Sequence, residues 1–475
     1  MSRTRMFLAA TFALPLMLTA LLTSAPVATS TPSASSGSAK PLLAAANVPV
    51  TQVSSDPYTD SQAQHRTEVE PDTFTFGNTI VSAFQVGRVH GGGASNIGFA
   101  RSTDGGANWT HGYVPGITRN EAGPCGQASD PSVAFDARHN VWLISSLALN
   151  CPGRRVFTSR STDGGLTWSN PITTASGSVD KNWIVCDNHP TSPFFGNCYT
   201  QYDITSSGSL MRMRTSTDGG LSWGTPRSTS DSARGLGGQP IVRPNGTVLV
   251  PFRSSGGSIR SFRSINGGSS WRASVLVSNV RHHTVAGGLR APHTLPSAEI
   301  DANGTAYVAW SDCRFRTTCA SNDIVISKST SETTWAAPLR VPIDAGNSTV
   351  DHFVPGIGVD PSTSGATARI GLTYYYYPNA NCTSATCQLF AGFISSTDGG
   401  STWSSATEVA GPMNLSWLPT TSKGRMFGDY ISTSVPPGGN AFSVIPIAST
   451  PEGTTFDMAM FVPIGGLPIT GGAAS

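Results

Sequence analysis

The sequence predicts an all-β protein built from repeated four-stranded sheets, and three observations carry that prediction. Gly (51) and Pro (33) are abundant and only 12% of the 475 residues are charged. That composition suits short strands joined by tight turns and does not suit helical bundles. An octapeptide, Ser161-Thr-Asp-Gly-Gly-Leu-Thr-Trp168, returns at Ser102–Trp109, Ser216–Trp223 and Ser396–Trp403, with looser copies at Ser264–Trp271 and Ser329–Trp335. The closing tryptophans lie 48 to 68 residues apart, a period of several strands per unit that points to a propeller or a solenoid.

The elements follow in order along the chain. Arg3 and Arg5, an apolar run from Met6 to Leu22 and small residues through Ala28 read as a secretory signal peptide over 1–28. Pro15 interrupts a span already short for a bilayer, so a membrane anchor is not expected after cleavage. Residues 29–46 are Ser/Ala/Thr/Pro-rich and read as a flexible linker, 47–465 as the repeat domain, and 466–475 as a disordered tail.

Within the domain, a unit opens at Pro131 with one strand, continues through Val141–Leu149 and Arg154–Arg160, and reaches a fourth strand after the octapeptide. Alternating β-branched and aromatic residues support each strand. Comparable openings occur near Asp72, Trp183, Gln239, Ser297 and Pro355. A last unit from Gly428 has no octapeptide and lacks one strand; a strand near Val48–Val53 would complete it and close a ring without exposed edges. The expected fold is therefore a β-propeller of four-stranded blades, seven favoured and six the alternative. The octapeptide turns would join third and fourth strands.

A turn recurs once per blade, whereas a catalytic residue is needed once. Asp104, Asp163, Asp218, Asn266 and Asp398 are accordingly read as structural acceptors, beside Gly-Gly pairs that supply positive φ. Trp109, Trp168, Trp223, Trp271 and Trp403 are read as apolar anchors between blades. Eight cysteines without a Cys-x-x-Cys pair suit disulfides in an exported protein rather than zinc: Cys125 with Cys151, Cys186 with Cys198, Cys313 with Cys319 and Cys382 with Cys387. Net charge is +2, too small to imply a nucleic-acid partner.

Ser-x-Asp-x-Gly-x-x-Trp is the Asp-box, or bacterial neuraminidase repeat, and from about Glu68 to Pro463 the chain resembles secreted, sialidase-like Asp-box propellers. The resemblance implies an extracellular glycoside hydrolase with a Tyr–Glu pair, an Asp acid/base and arginines gripping a carboxylated sugar. The Arg-Ile-Pro motif of sialidases is missing, and the count of seven exceeds their usual six blades.

Strand alternation puts the octapeptides on one face of the disc and the strand-entry and second-to-third loops on the other, where function is expected. Glu70, Asp72, Asp130, Asp180, Lys181, Gln239, Glu299, Asp351, His352, Asp429 and Tyr430 project there. The assignments are Asp130 or Asp180 as acid/base, Tyr430 with Glu299 as nucleophile and helper, and Arg88, Arg253, Arg314 and Arg425 as carboxylate grips. Asp130 and Asp180 could equally cap turns. No cofactor is required and no metal-binding residues are assigned, although channel-facing carboxylates could hold Ca²⁺. Asp351-His352 reads as surface loop, and of Tyr374 to Tyr377 two rings should be core and two should line a cleft. The partner is a glycan or polysaccharide. Two other readings stand beside hydrolysis: a non-catalytic propeller binding glycan or protein, and a polysaccharide lyase acting on a uronic acid.

Overall fold

The computed structural model describes residues 46–291 and 294–472. The expected signal peptide and linker lie outside the described residues, apart from Ala46 at the linker's end. The described chain is all-β, with helix limited to five three-residue 3-10 turns.

Antiparallel runs follow one another along the sequence. The first comprises Ala63–Phe76, Thr79–Val89, Ala94–Ser102 and Thr110–Tyr113, and the second Gln127–Asp136, Val141–Leu149, Arg154–Ser161 and Ile172–Gly177. The third has three strands, Val179–Cys186, Cys198–Ile204 and Leu210–Ser216, with a bridge from Met213 to Arg227 at its outer edge. Further runs span Gly235–Ser278, Ser297–Arg340 and Asp351–Asn414. The terminal sheet pairs Ile445–Glu452 with Thr455–Pro463 and then with Val50–Gln52, in register Val50↔Pro463. The N-terminal strand thus takes the place the sequence reserved for it, beside the last unit.

Opening strands touch their neighbours through side chain to backbone bonds. The Val133 amide donates to Asp72 at 2.7 Å, Asn182 to the Asp130 carbonyl at 3.0 Å and the Ala298 amide to Gln239 at 2.8 Å. The Ile357 amide donates to Ser297 Oγ at 3.1 Å, and the Thr433 hydroxyl to the Gly356 carbonyl at 2.7 Å. The Thr73 amide donates to Ser432 Oγ at 2.6 Å, which returns the series to the first run. Each bond satisfies a buried backbone group that strand pairing leaves over.

Apolar cores lie between neighbouring runs and include the octapeptide tryptophans. Trp168, from the second run, packs at 5.7 Å on Phe99 of the first, and Trp271 packs at 6.3 Å on Tyr199 of the third. In the turn itself, Ser161 Oγ donates to Asp163 Oδ1 at 2.7 Å and accepts the Gly165 amide at 2.9 Å. Asp163 Oδ1 also accepts the Leu166 and Thr167 amides, both at 3.0 Å. Gly164 and Gly165 have φ of 74° and 82°, a region that favours residues without Cβ. The Ser and Asp bonds recur around Asp104, Asp218 and Asp398, and Asn266 substitutes with the same acceptor oxygen. The shortened copy has no such carboxylate; Ser329 Oγ bonds the Ser331 and Thr334 carbonyls instead.

All four disulfides have the expected partners: Cys125–Cys151, Cys186–Cys198, Cys313–Cys319 and Cys382–Cys387. Among the described residues no helix is long and apolar enough to cross a membrane.

Three expectations need correction. The disordered tail does not begin at 466: Leu467 and Ile469 are buried, and the Thr470 amide bonds Ser395 at 3.0 Å, because their side chains cap a core that strands leave open. Asp351 and His352 are not surface loop; both are buried, with Asp351 accepting the Asn322 amide at 2.7 Å. Tyr374, Tyr375 and Tyr377 are all buried and only Tyr376 is partly open, since sheets pack on both faces of this strand.

Candidate functional site

The site begins with a backbone peculiarity. Opening strands carry a register shift between Val69 and Asp72, Ser129 and Ser132, Asp180 and Trp183, and Phe353 and Gly356. Inside each shift lies a non-glycine residue of positive φ: Glu70 (60°), Asp130 (46°), Lys181 (45°) and Val354 (48°). A bulge turns one side chain out of the ladder and re-aims it. Left-handed non-glycine backbone costs about 1–3 kcal/mol and persists only where its surroundings impose it. Here the bulges aim an acid, an acid and a lysine at one point.

At that point Lys181 Nζ lies 2.6 Å from Asp429 Oδ2, 3.1 Å from Asp130 Oδ1 and 3.4 Å from Glu70 Oε1. Asp429 is held from its other side by Arg290, whose Nε donates to Oδ1 at 2.7 Å while a terminal nitrogen meets Oδ2. Gln85 donates to Glu70, and Arg88 donates to Gln85 at 3.0 Å and to the Gly93 carbonyl at 2.6 Å. Tyr430 lies alongside, its ring 5.8 Å below the ammonium and 4.9 Å from Trp183 in an edge contact. Glu70, Asp130, Asp429 and Tyr430 are buried; Lys181 and Arg290 are partly open.

The electrostatics divide the carboxylates. Burial pushes Glu70 up to about 7, although Lys181 opposes the shift. Burial acts on Asp429 too, yet Lys181 and Arg290 together hold it well below the usual carboxylate range. Burial would lower Lys181, but Asp130, Asp429 and Glu70 keep it well above its ordinary value, so it stays charged. One acid able to carry a proton near neutrality therefore stands beside one held ionised, the pattern that acid–base chemistry uses.

The expected residues divide accordingly. Asp130 and Tyr430 are in the cluster. Asp180 sits at its edge, 3.7 Å from Arg154 and opposite Asp203 across paired strands. Burial and the Asp180 charge raise Asp203 to about 8. Glu299 does not meet Tyr430: it is raised to about 8 by burial and by Asp72, and the Tyr430 hydroxyl donates to the Pro131 carbonyl at 2.8 Å. The expected Tyr–Glu pair is not formed, because Glu299 lies four residues beyond Leu295, which precedes Pro296 as the bulge residues Glu70, Asp130 and Val354 precede their prolines.

The arginines do not converge as expected. Arg88 is behind Gln85, Arg314 is taken by Asp312 at 2.7 Å and Ser278 at 2.9 Å, and Arg425 bonds the Leu418 carbonyl at 2.6 Å. Arg253 sits at the end of Val248–Ser254, opposite Leu236, and burial lowers its pKa. Sequence reasoning missed Arg290, the guanidinium that reaches Asp429. It lies in a long segment, Asn279–Pro296, without strand alternation, and that length entering a strand was the available signal.

Asp323, Asp344 and His352 have ligand atoms close enough for an ion. Arg316 and Arg340 already bond both carboxylates, and burial lowers His352 to about 4. The group reads as an ion-pair network. Asp136 groups with Cys186 and Cys198, whose sulfurs are joined to each other.

No family model matches the chain. A sialidase of Bacteroides fragilis is 31% identical over 18% of this chain and 20% of its own, so the chain spans about a fifth of that relative's length. Among solved structures, the Hadza microbial sialidase Hz136 aligns with 66% of this chain and 64% of its own at 18% identity and a TM-score of 0.44. An ulvan lyase aligns with 86% and 97% at 10% identity and a TM-score of 0.49. The NanB sialidase of Streptococcus pneumoniae aligns with 87% and 70% at 12% identity and a TM-score of 0.43. Over the segment matched in sequence, this chain is sialidase-like.

Proposed function

We propose that the protein is a secreted, sialidase-like glycoside hydrolase, its sheets the seven blades of a propeller, with its centre at Glu70, Asp130, Lys181, Arg290, Asp429 and Tyr430. The observation that carries this reading is the convergence of charged side chains from positions 70, 130, 181, 290 and 429 on one point. The bonds between successive runs from Asp72 round to Ser432, with His189 Nε2 2.9 Å from the Val242 carbonyl linking the third run to the fourth, support the closed arrangement of blades. The disulfides and the signal-like N-terminus support export.

Glu70, with a pKa near 7, protonates the leaving-group oxygen of a bound glycoside. Asp429, held ionised, faces the positive charge that develops at the anomeric carbon, where water adds and releases the proton that restores Glu70. Lys181 fixes the three carboxylates relative to one another. Tyr430 and Trp183 form an aromatic wall for a sugar ring. Tyr430 is not cast as the nucleophile, since burial drives its ionisation far up and its hydroxyl is already donated.

One observation favours a second reading. Lys181 and Arg290 neutralise Asp429 and Asp130 within the protein, which suits a rigid mouth that binds glycan without cleaving it. A panel of fluorogenic glycosides, a sialoside included, separates the two. Turnover abolished by Glu70→Gln supports hydrolysis. Binding without turnover on every substrate supports the second reading.

A further inference from the structure

A crevice lined by none of the central residues differs from the centre in its chemistry. Its walls include His90, Thr420, Arg425, Ser416, Ser384 and Gly288, and no carboxylate lines it. The two sites share one short piece of backbone. Leu289 bridges to Arg425, the Arg290 amide donates to the Arg425 carbonyl at 2.6 Å, and the Arg425 amide donates to the Gly288 carbonyl at 2.9 Å. From this ladder the Arg290 side chain runs to Asp429, while Arg425 lines the crevice.

The two guanidiniums have opposite fates. Arg290 is neutralised by a bidentate carboxylate inside the protein. Among the described residues Arg425 has only carbonyl acceptors, Leu418 at 2.6 Å and Ser416 at 3.5 Å, both through one nitrogen, and no ion pair. Those bonds aim the guanidinium without cancelling its charge. His90 stands in the same wall, its Nδ1 3.1 Å from the Thr420 hydroxyl. Close packing fixes the floor: a Cβ at Gly287 would come within 2.6 Å of Cys387 Sγ, so the stapled Cys382–Cys387 loop sits directly on the backbone here.

We infer that this crevice is an anion subsite, taking a carboxylate or sulfate carried by a sugar next to the one at the centre. A charged, aimed guanidinium with surrounding hydroxyls and no competing acid is the arrangement that holds an oxyanion. Its role as a neighbouring subsite rests on reading the centre as a glycan site. The ligand it implies is a glycan chain with an acid on the residue next to the one at the Lys181 centre.

Titration calorimetry at low salt tests this with tetragalacturonate, neutral cellotetraose and inorganic sulfate. Wild-type protein should bind tetragalacturonate roughly tenfold or more tightly than cellotetraose, with the preference weakening in salt. Arg425→Gln should erase the preference while leaving cellotetraose affinity and melting temperature unchanged, and His90→Asn should reduce it. A preference that survives Arg425→Gln overturns the inference, as does a wild-type protein with no preference. Sulfate binding as tightly as tetragalacturonate overturns the saccharide part and leaves a free-anion site. Arg425-dependent tetragalacturonate binding with no cellotetraose affinity keeps the anion site and sinks the reading of the centre instead.

Discussion

Two sets of aspartates occupy this protein, and they are opposite in almost every physical respect. The octapeptide aspartates are exposed (Asp104, Asp163) or half-buried (Asp218, Asp398), repeated, and bonded to groups only a few residues away. Hydrogen bonds pull Asp104 and Asp398 down to about 2. The central acids are buried, each occurs once, and their partners are up to 359 residues distant, as with the Asp429 amide on Glu70. A short-range carboxylate organises a turn in any copy of the repeat. A long-range one exists only when the whole molecule is assembled, and its buried charge must be matched by cations. Repetition therefore marks architecture, and the unrepeated residue at an equivalent position marks the site.

The sharpest way to break this contrast is to neutralise one residue from each set. Asp429→Asn removes the buried carboxylate shared by the partly open Lys181 and Arg290, leaving Lys181 with Asp130 and Glu70, and should cost about 3–5 kcal/mol. Urea unfolding followed by tryptophan fluorescence checks it, and a cost below 1 kcal/mol would show that the central network carries little stability. Trp168→Ala, which removes a ring shared by two runs, should cost about 3 kcal/mol, with a matching fall in midpoint. Asp163→Ala should cost only about 1 kcal/mol, because its bonds are local and solvent competes for them.

The pH dependence sharpens the same difference. Glu70 and Asp72 rise to about 7, and Glu68, Asp203 and Glu299 to about 8, all principally by burial. Raised acids bind more protons folded than unfolded, so stability is fully present below pH 4 and falls as pH rises to 8. The octapeptide acids, shifted downward, act in the opposite direction at pH 2–4. Melting temperature should therefore peak in mildly acidic buffer. Glu70→Gln should flatten the fall between pH 5 and 7, and an unchanged slope would remove Glu70 from the account. If Glu70 is also the acid, turnover by wild-type protein should decline above pH 7.

Legibility in the sequence follows the same division. The octapeptides, the disulfide pairs and the N-terminal strand beside Thr455–Pro463 were readable because each is set by local pattern or by an unfilled position in a repeat. Asp130 and Tyr430 were readable as residues at equivalent strand entries. Arg290 was not, because nothing local distinguishes an arginine whose loop reaches inward from one that does not. Glu299 misled for a related reason: strand register separates it from the bulge positions, and bulges leave no mark in composition. The four expected arginines were chosen by loop position, and loop position alone does not reveal which carboxylate a guanidinium will meet.

The smallest expected effect tests whether the repeat tolerates its own variation. Asn266 stands where four other copies carry Asp, and its side-chain oxygen accepts the Ser270 amide at 3.0 Å while its amide group donates to Ser270 Oγ at 2.9 Å. In three of the four Asp copies the equivalent hydroxyl donates to the carboxylate instead, as Thr402 does to Asp398 at 2.6 Å, and in the fourth the Asn108 side-chain amide does so. Asn266→Asp only requires the Ser270 hydroxyl to rotate, and it replaces neutral bonds with charge-assisted ones in solvent. The gain should be a few tenths of a kcal/mol, within about 0.5. A destabilisation above about 1 kcal/mol would mean that the turn at 264–271 is held by its surroundings rather than by its own hydrogen bonds, and that the five copies are not interchangeable.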